Sequence, residues 1–508
     1  MQVHVKTTTK KLLTNSVYNT VSWFLIVAIG ILFTPFIVKK LTIEGYGIYT
    51  LLTSLIGYYG LLDLGLGDGV TKFVAEYKAR NDWDGVNRSV NAALLIQIIL
   101  GAIGSGCLVF FADGILHLLK VPEQFFIAGQ QGVRFVSIGF FFTMLSGTFS
   151  AALKGLQSYK QVSQVNVFMN FAMNIAMILV LFLGGGLIGV VILPMLYSMV
   201  SFVIYWVIFS KQVPGYRFVW SFDKQSTVSV FNYSGFLFLS RLSNTFNNYV
   251  VRFVIGFFLG PAFVAFYFIP SRVVQTFGGL LGSLFGVIFP YTSELSAGQD
   301  LEKIQRVFLK TTKLFVSLSM PVFLALAVFA GPILNLWMGP EFAQKGWRVL
   351  MVLSLGSILG SITTVPNLIA MGLGQSKIIS LFSVFTVLAY AVFMPFFTKW
   401  WGIEGAAWAI LFAQIPGIFL VFYEIKNIFK LPLMSSLWEI LAYHCLPIVI
   451  TCFLLMTFQG MLGFNRTCVF LGLGLYFALY FGGMLLTNWL PAKEVFSHFL
   501  KKGSNAST

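Results

Sequence analysis

The chain is 508 residues long, 57% hydrophobic and 10% charged. That charged share is less than half of the roughly 25% usual in soluble domains, and the mean hydropathy is +0.86. A soluble enzyme, a disordered chain, a collagen and a coiled coil are all excluded, and a polytopic membrane protein remains. The charge is lopsided, with 33 Lys and Arg against 17 Asp and Glu for a net +16, so the placement of the basic residues carries information.

About fourteen apolar runs are long enough to cross roughly 30 Å of hydrocarbon as helices, the first over Val17–Val38 and the last over Thr467–Trp489. Barrel strands would be about ten residues long and alternating. The first run carries Asn15, Asn19 and Ser22. The second, Ile48–Val70, carries Asp63 and Asp68 within Leu61-Leu62-Asp63-Leu64-Gly65-Leu66-Gly67-Asp68-Gly69. Its Gly-x-Gly-x-Gly ends a helix and lacks the strand-turn-helix setting of a dinucleotide site. Asp82-Trp83-Asp84 follows, matching the DxD with which glycosyltransferases hold metal-bound nucleotide sugars. Its place in a short charged loop makes it a weak signal.

Arg134 lies in the fourth run, and the fifth carries Asn166, Asn170 and Asn174 at four-residue spacing. In the seventh, Arg241, Thr245, Asn248 and Arg252 fall on one helical stripe at i, i+4, i+7 and i+11, with Ser234 on the same face. The two guanidiniums are then about 16 Å apart along the axis. Arg272 and Gln275 share a face of the eighth run. An arginine near the bilayer centre costs about 2.5–3.5 kcal/mol on the gentlest scale and normally faces a bundle interior or water. Arg134, near a run's end, can equally snorkel to an interface. Asp63 either pairs with one of these arginines, the favoured reading, or takes up a coupling proton. A basic cavity of this kind suits an anionic ligand, since guanidinium forks match phosphate oxygens.

Pro35, Pro270, Pro321, Pro366 and Pro416 sit inside runs as kinks or hinges. The four cysteines lie in apolar runs and His4, His117, His444 and His498 are scattered. No metal, cofactor or catalytic centre is expected, and His444 reads as a polar tip at an interface. The basic start leads into a full-length span without a cleavage site, so no removable leader is expected. Comparing alternate loops gives a Lys and Arg bias of about 22 to 7, which puts both termini in the cytoplasm by the positive-inside rule.

An internal repeat is legible. Tyr49 and Tyr267, Glu76 and Glu294, and Asp82 and Asp300 are each 218 apart, and Gly186-x-x-Gly189 mirrors Gly402-x-x-Gly405. Two parallel six-helix lobes around a central cavity follow, over residues 1–215 and 216–430, with two more helices and a tail in 431–508.

Gly45-Tyr46-Gly47-Ile48-Tyr49, the glycine-rich Gly60–Gly67 stretch, Phe73-Val74-Ala75-Glu76-Tyr77, Ile333–Phe342 and Gly372-Leu373-Gly374-Gln375-Ser376 together resemble the bacterial polysaccharide-transport family. These are the lipid-linked oligosaccharide, or O-antigen, flippases of the multidrug/oligosaccharidyl-lipid/polysaccharide exporter superfamily. The resemblance implies export of an undecaprenyl-diphosphate-linked oligosaccharide across the bacterial inner membrane by alternating access, without a cofactor or nucleic acid. Arg241, Arg252, Arg272 and Arg134 become diphosphate candidates, and Asn19, Asn170, Asn174, Thr245 and Asn248 sugar contacts. Membrane lipids, a glycan polymerase and other polysaccharide-assembly proteins are candidate partners. A cation-coupled multidrug exporter of the same fold and a membrane-embedded glycan enzyme using Asp82 and Asp84 are the alternatives.

Overall fold

The computed structural model describes residues 2–57, 63, 65–219, 249–285, 288–297, 301–442, 444 and 466–486, and the side chains of residues 2–29 are not among those described. Among the described residues the regular elements are helices: α1 Gln2–Gly57, α2 Leu66–Ala79, α3 Trp83–Phe110, α4 Ala112–Leu118, α5 Phe126–Gly155, α6 Tyr159–Phe182, α7 Gly186–Gln212, α8 Val251–Leu259 and α9 Pro261–Phe285. They continue as α10 Ile288–Ala297, α11 Leu301–Val328, α12 Ala330–Met338, α13 Pro340–Gly372, α14 Ser376–Ala413, α15 Ile415–Tyr423, α16 Leu433–Ala442 and α17 Arg466–Leu486. Eight stretches among these residues are long and apolar enough to cross a membrane. The chain is therefore an all-helical, multi-span membrane protein.

Several helices outrun their apolar runs. Expected from Val90, α3 begins at Trp83, and α13 begins at Pro340 rather than Trp347. Helix continues past the apolar core because every backbone N–H must still find a carbonyl. Asp82, whose carboxylate accepts from Gly85 N at 2.7 Å, is the N-cap that starts α3. Glycine 65 begins a helix instead of ending one: at φ 77 it precedes α2, and the second expected span is thus not one uninterrupted helix. Pro416 likewise stands at the start of α15, where a missing N–H costs nothing.

Residues with left-handed φ mark the repeat in the backbone itself. Thr42 and Gly260 are 218 apart, Lys120 and Gly339 are 219, Gln157 and Gly374 are 217, Gly186 and Gly402 are 216, and Gly215 and Lys430 are 215. The first pair also agrees in both angles, with φ/ψ of 66/166 at Thr42 and 93/174 at Gly260. A β-branched residue is strained there, and Thr42 offsets part of that by accepting Gly45 N–H on Oγ1 at 3.2 Å.

The described residues pack as two units. The first lies within Met1–Ile269 and Ser383–Ala413, the second within Pro270–Phe382 and Gln414–Thr508. In the first, Val70 and Val74 of α2, Val90 and Leu94 of α3, Phe149 of α5 and Phe209 of α7 form one apolar core. Lysines close helix ends in this unit: Lys78 Nζ donates to Leu156 O and Lys120 Nζ to Phe258 O, each at 2.7 Å, complementing the negative end of a helix. Gly47 admits the backbone of Pro261, whose carbonyl oxygen would stand 1.9 Å from an added Cβ.

In the second unit α17 docks on α11 and α12 through Tyr476, Tyr480 and Met484 against Ala325 and Phe329. His444 is fully buried there, not an interfacial tip. Its Nδ1 meets Tyr480 Oη at 2.9 Å and its Nε2 meets Ser317 Oγ at 3.2 Å.

Candidate functional site

Arg252, in the first turn of α8, is the expected arginine for which the structure gives the fullest surroundings. Its guanidinium stands 3.9 Å from the centroid of the Phe268 ring and 5.5 Å from that of Tyr249. Nη1 donates to Ser54 Oγ at 3.2 Å, and Ser54 passes its own proton to Thr50 O at 2.6 Å. The local sequence builds this in steps. Tyr249 precedes Arg252 by three positions and so shares its face. Gly57 of α1 lets the Tyr249 ring lie against its backbone, because an added Cβ there would fall 2.1 Å from that ring. The left-handed Gly260 turns the chain from α8 into α9, which brings Phe268 back over the guanidinium.

Two more polar groups belong to these helices. Thr50 Oγ1 and Tyr267 Oη are buried and have no hydrogen-bond partner among the described residues, and the Tyr267 hydroxyl is within electrostatic reach of Arg252 and Tyr390. A guanidinium offers five donors in a planar fork. Ring faces hold it by cation–π attraction worth about 2 kcal/mol when desolvated. Chemically the cluster can bind an anion, with hydroxyls beside the charge to receive further hydrogen bonds.

The other expected residues divide clearly. Asp63 is buried and its Oδ1 accepts from Gln97 Nε2 of α3 at 2.7 Å. Asn170 and Asn174 are half-buried on α6 and donate to the carbonyls four residues earlier at 2.8 Å each. The same ladder binds α7, since Tyr205 donates to Asn166 Oδ1 at 2.8 Å. Much of its polarity is thus spent within and between helices. Arg134 is exposed on a stripe of α5 shared with the exposed Ile127 and Ile138, the setting of a snorkelling arginine. Arg272, half-buried on α9 two residues after Pro270, belongs to the second unit. Arg241, Thr245 and Asn248 lie outside the described residues, as does the side chain of Asn19.

Sequence reading missed Ser54, Tyr249, Phe268, Gln97 and Tyr205. Tyr249 was accessible from its spacing to Arg252. The others come from different helices and carried no local signal. The DxD pattern has a plain structural role, because Asp82 caps α3 and stands 3.8 Å from Arg88, while Asp84 is an exposed first-turn acid.

Residues 38–345 match the family described as "Polysaccharide biosynthesis protein". The chain belongs to that family. A Shigella flexneri protein named "Putative O-antigen transporter" is 24% identical over 402 residues, covering 78% of this chain and 94% of that one. Among solved structures, the lipid II flippase MurJ in an inward closed conformation matches with a TM-score of 0.71 at 15% identity, covering 96% of this chain and 99% of that chain. An inward-facing multidrug resistance MATE transporter of the MOP superfamily matches with a TM-score of 0.67 at 15% identity, covering 81% and 99%. These two likenesses give the fold: the chain has the all-helical architecture of that transporter superfamily.

Proposed function

We propose that this protein is a flippase, which carries an undecaprenyl-diphosphate-linked oligosaccharide from the cytoplasmic to the outer leaflet of the bacterial inner membrane for surface-polysaccharide assembly. It acts as a transporter and not as an enzyme. Family membership and the O-antigen transporter relative support the substrate class. The single observation that carries the mechanism is Arg252, a cation held in an apolar segment by ring faces and a serine hydroxyl.

Such contacts are weaker than a bidentate, charge-assisted grip on phosphate. An arriving diphosphate therefore draws the fork away from Phe268 at little cost. The sugar's hydroxyls cannot enter hydrocarbon unpaired, and Thr50, Tyr267, Asn170 and Asn174 supply polar contacts along the way. The polyprenyl tail stays in lipid. Arg241 and Arg272 extend the basic path, and Asn19, Thr245, Asn248 and Arg134 serve it at its edges. Asp63, buttressed by Gln97, supplies the negative charge that orders the arginines when the cavity is empty. Two six-helix lobes, 1–215 and 216–430, rock about this path, while 431–508 adds two helices and a tail. Both termini face the cytoplasm.

Replacing Arg252 with Ala in cells that make the polysaccharide should remove surface glycan and leave lipid-linked precursor on the cytoplasmic face, at unchanged membrane abundance of the protein. Normal surface glycan in that variant refutes the assignment of Arg252. If Asp82→Ala with Asp84→Ala abolished sugar transfer itself, the flippase reading would fail.

A further inference from the structure

Five residues at the end of α15, Glu424–Ile428, form a π turn. Its wide loop closes through Phe429 N–H to Glu424 O at 2.8 Å and Leu431 N–H to Ile425 O at 2.9 Å. Such turns are frequent at functional positions. The Glu424 side chain is fully buried, and neither carboxylate oxygen has a hydrogen-bond partner among the described residues.

The turn is clamped from α11. Gln305 Nε2 donates to Phe429 O at 2.7 Å, and the Phe308 and Phe429 rings stack with centroids 4.2 Å apart. Along its outer side runs a cavity of about 360 Å³ lined by Leu301, Ile304, Gln375, Tyr423, Asn427 and Ile428. At about 30 Å³ per molecule it has room for several waters. The charged groups on the surrounding elements are Glu302, Lys303, Arg306, Lys310 and Lys313 of α11, Lys377 of α14, and Lys426 and Lys430 beside the turn itself. Lys313 is half-buried and the others are exposed, and Glu302 and Arg306 pair with each other at 3.2 Å. From Val349 to Gly372, α13 contributes no ionisable side chain.

Burying a lone carboxylate costs several kcal/mol unless something neutralises it. A hard metal cation takes about six oxygen ligands, and the described residues hold no group of three or more His, Cys, Asp or Glu placed to bind one. A proton needs one oxygen. We propose that Glu424 is a proton-binding site through which a proton gradient drives the transport described above, and in that respect the inference rests on the flippase reading. Tightening of the π turn withdraws Phe429 from Gln305 and Phe308 and carries Glu424 to the cavity waters. Release breaks one O–H bond on the carboxyl group and forms one on water; uptake reverses it, and nothing is oxidised or reduced.

The test is pH-dependent infrared difference spectroscopy on the full chain in liposomes, for wild type, Glu424→Gln and Glu424→Asp. The expected result is a protonated-carboxyl band that grows on acidification, is missing in Glu424→Gln and is displaced in Glu424→Asp. This readout needs no cargo, so it stands or falls apart from the flippase reading, and the Asp variant keeps it decisive where the Gln variant fails to fold. In the same liposomes, with lipid-linked oligosaccharide extracted from producing cells, the wild-type rate should follow the sign of an imposed proton gradient and Glu424→Gln should lose that response. An unchanged band in Glu424→Gln, or wild-type transport driven by a sodium gradient with no response to protons, overturns the proposal.

Discussion

His444 and Arg252 are both polar groups set in apolar helices, and their surroundings differ in kind. Ser317 Oγ gives its only proton to Lys313 O at 2.6 Å, so it must accept from His444 Nε2–H. His444 Nδ1 is then the acceptor for the Tyr480 hydroxyl, and both ring nitrogens are used inside the protein. Around Arg252 the contacts include two ring faces and a serine, and the nearby Thr50 and Tyr267 hydroxyls have no hydrogen-bond partner among the described residues. A closed network ties His444 and α17 to α11, whereas one with unmade hydrogen bonds is built to receive something. Rarity of a buried polar residue does not by itself separate the two cases. The saturation of its neighbours does.

That contrast breaks if function and stability respond alike at the two places. The largest effect is expected for Arg252→Ala, a ten- to hundredfold loss of glycan export, the equivalent of roughly 1.5–3 kcal/mol for hydrogen bonds to a charged group. Arg252→Lys should recover only part of it, since the charge stays and the fork is lost. Both variants should melt within a few degrees of wild type. His444→Leu should do the reverse, lowering stability by about 1–3 kcal/mol through the stranded Tyr480 hydroxyl while export per folded molecule holds; thermal unfolding in detergent and an export assay read the two separately. Phe268→Leu removes one ring face that holds the guanidinium in the empty site, and since the fork leaves that ring for the diphosphate, export should stay within a few-fold of wild type, in line with about 0.5–1 kcal/mol. The smallest pair sharpens the meaning of the DxD pattern: Asp82→Ala should cost about 1 kcal/mol as a lost cap, and Asp84→Ala less than about 0.5 kcal/mol, with glycan synthesis untouched in both.

Fold class was legible because composition and run length act along the whole chain, and the repeat because its breaks fall on residues such as Gly186 and Gly402. The backbone makes the repeat plainer than the side chains do, since Thr42, Lys120 and Gln157 take left-handed φ where the second half has glycine. No residue type announces that. Arg252 was marked by its cost in a membrane, but its partners Ser54 and Phe268 are 198 and 16 positions away and meet it only after α1, α8 and α9 pack. The asparagines of α6 were visible as a ladder, while the use of Asn166 by Tyr205 of α7 depended on how that neighbouring helix packs. Nothing in the sequence around Glu424 sets it apart, and only its burial, the π turn and the clamp from α11 distinguish it.

The central claim is that the guanidinium of Arg252 holds the diphosphate during flipping. The most direct measurement is translocation of purified undecaprenyl-diphosphate-linked oligosaccharide in proteoliposomes containing wild type or Arg252→Ala at matched reconstitution, read by the accessibility of the sugar to an external glycosidase. Transbilayer exchange should be rapid for wild type and ten- to hundredfold slower for Arg252→Ala; equal rates for the two proteins would contradict the assignment.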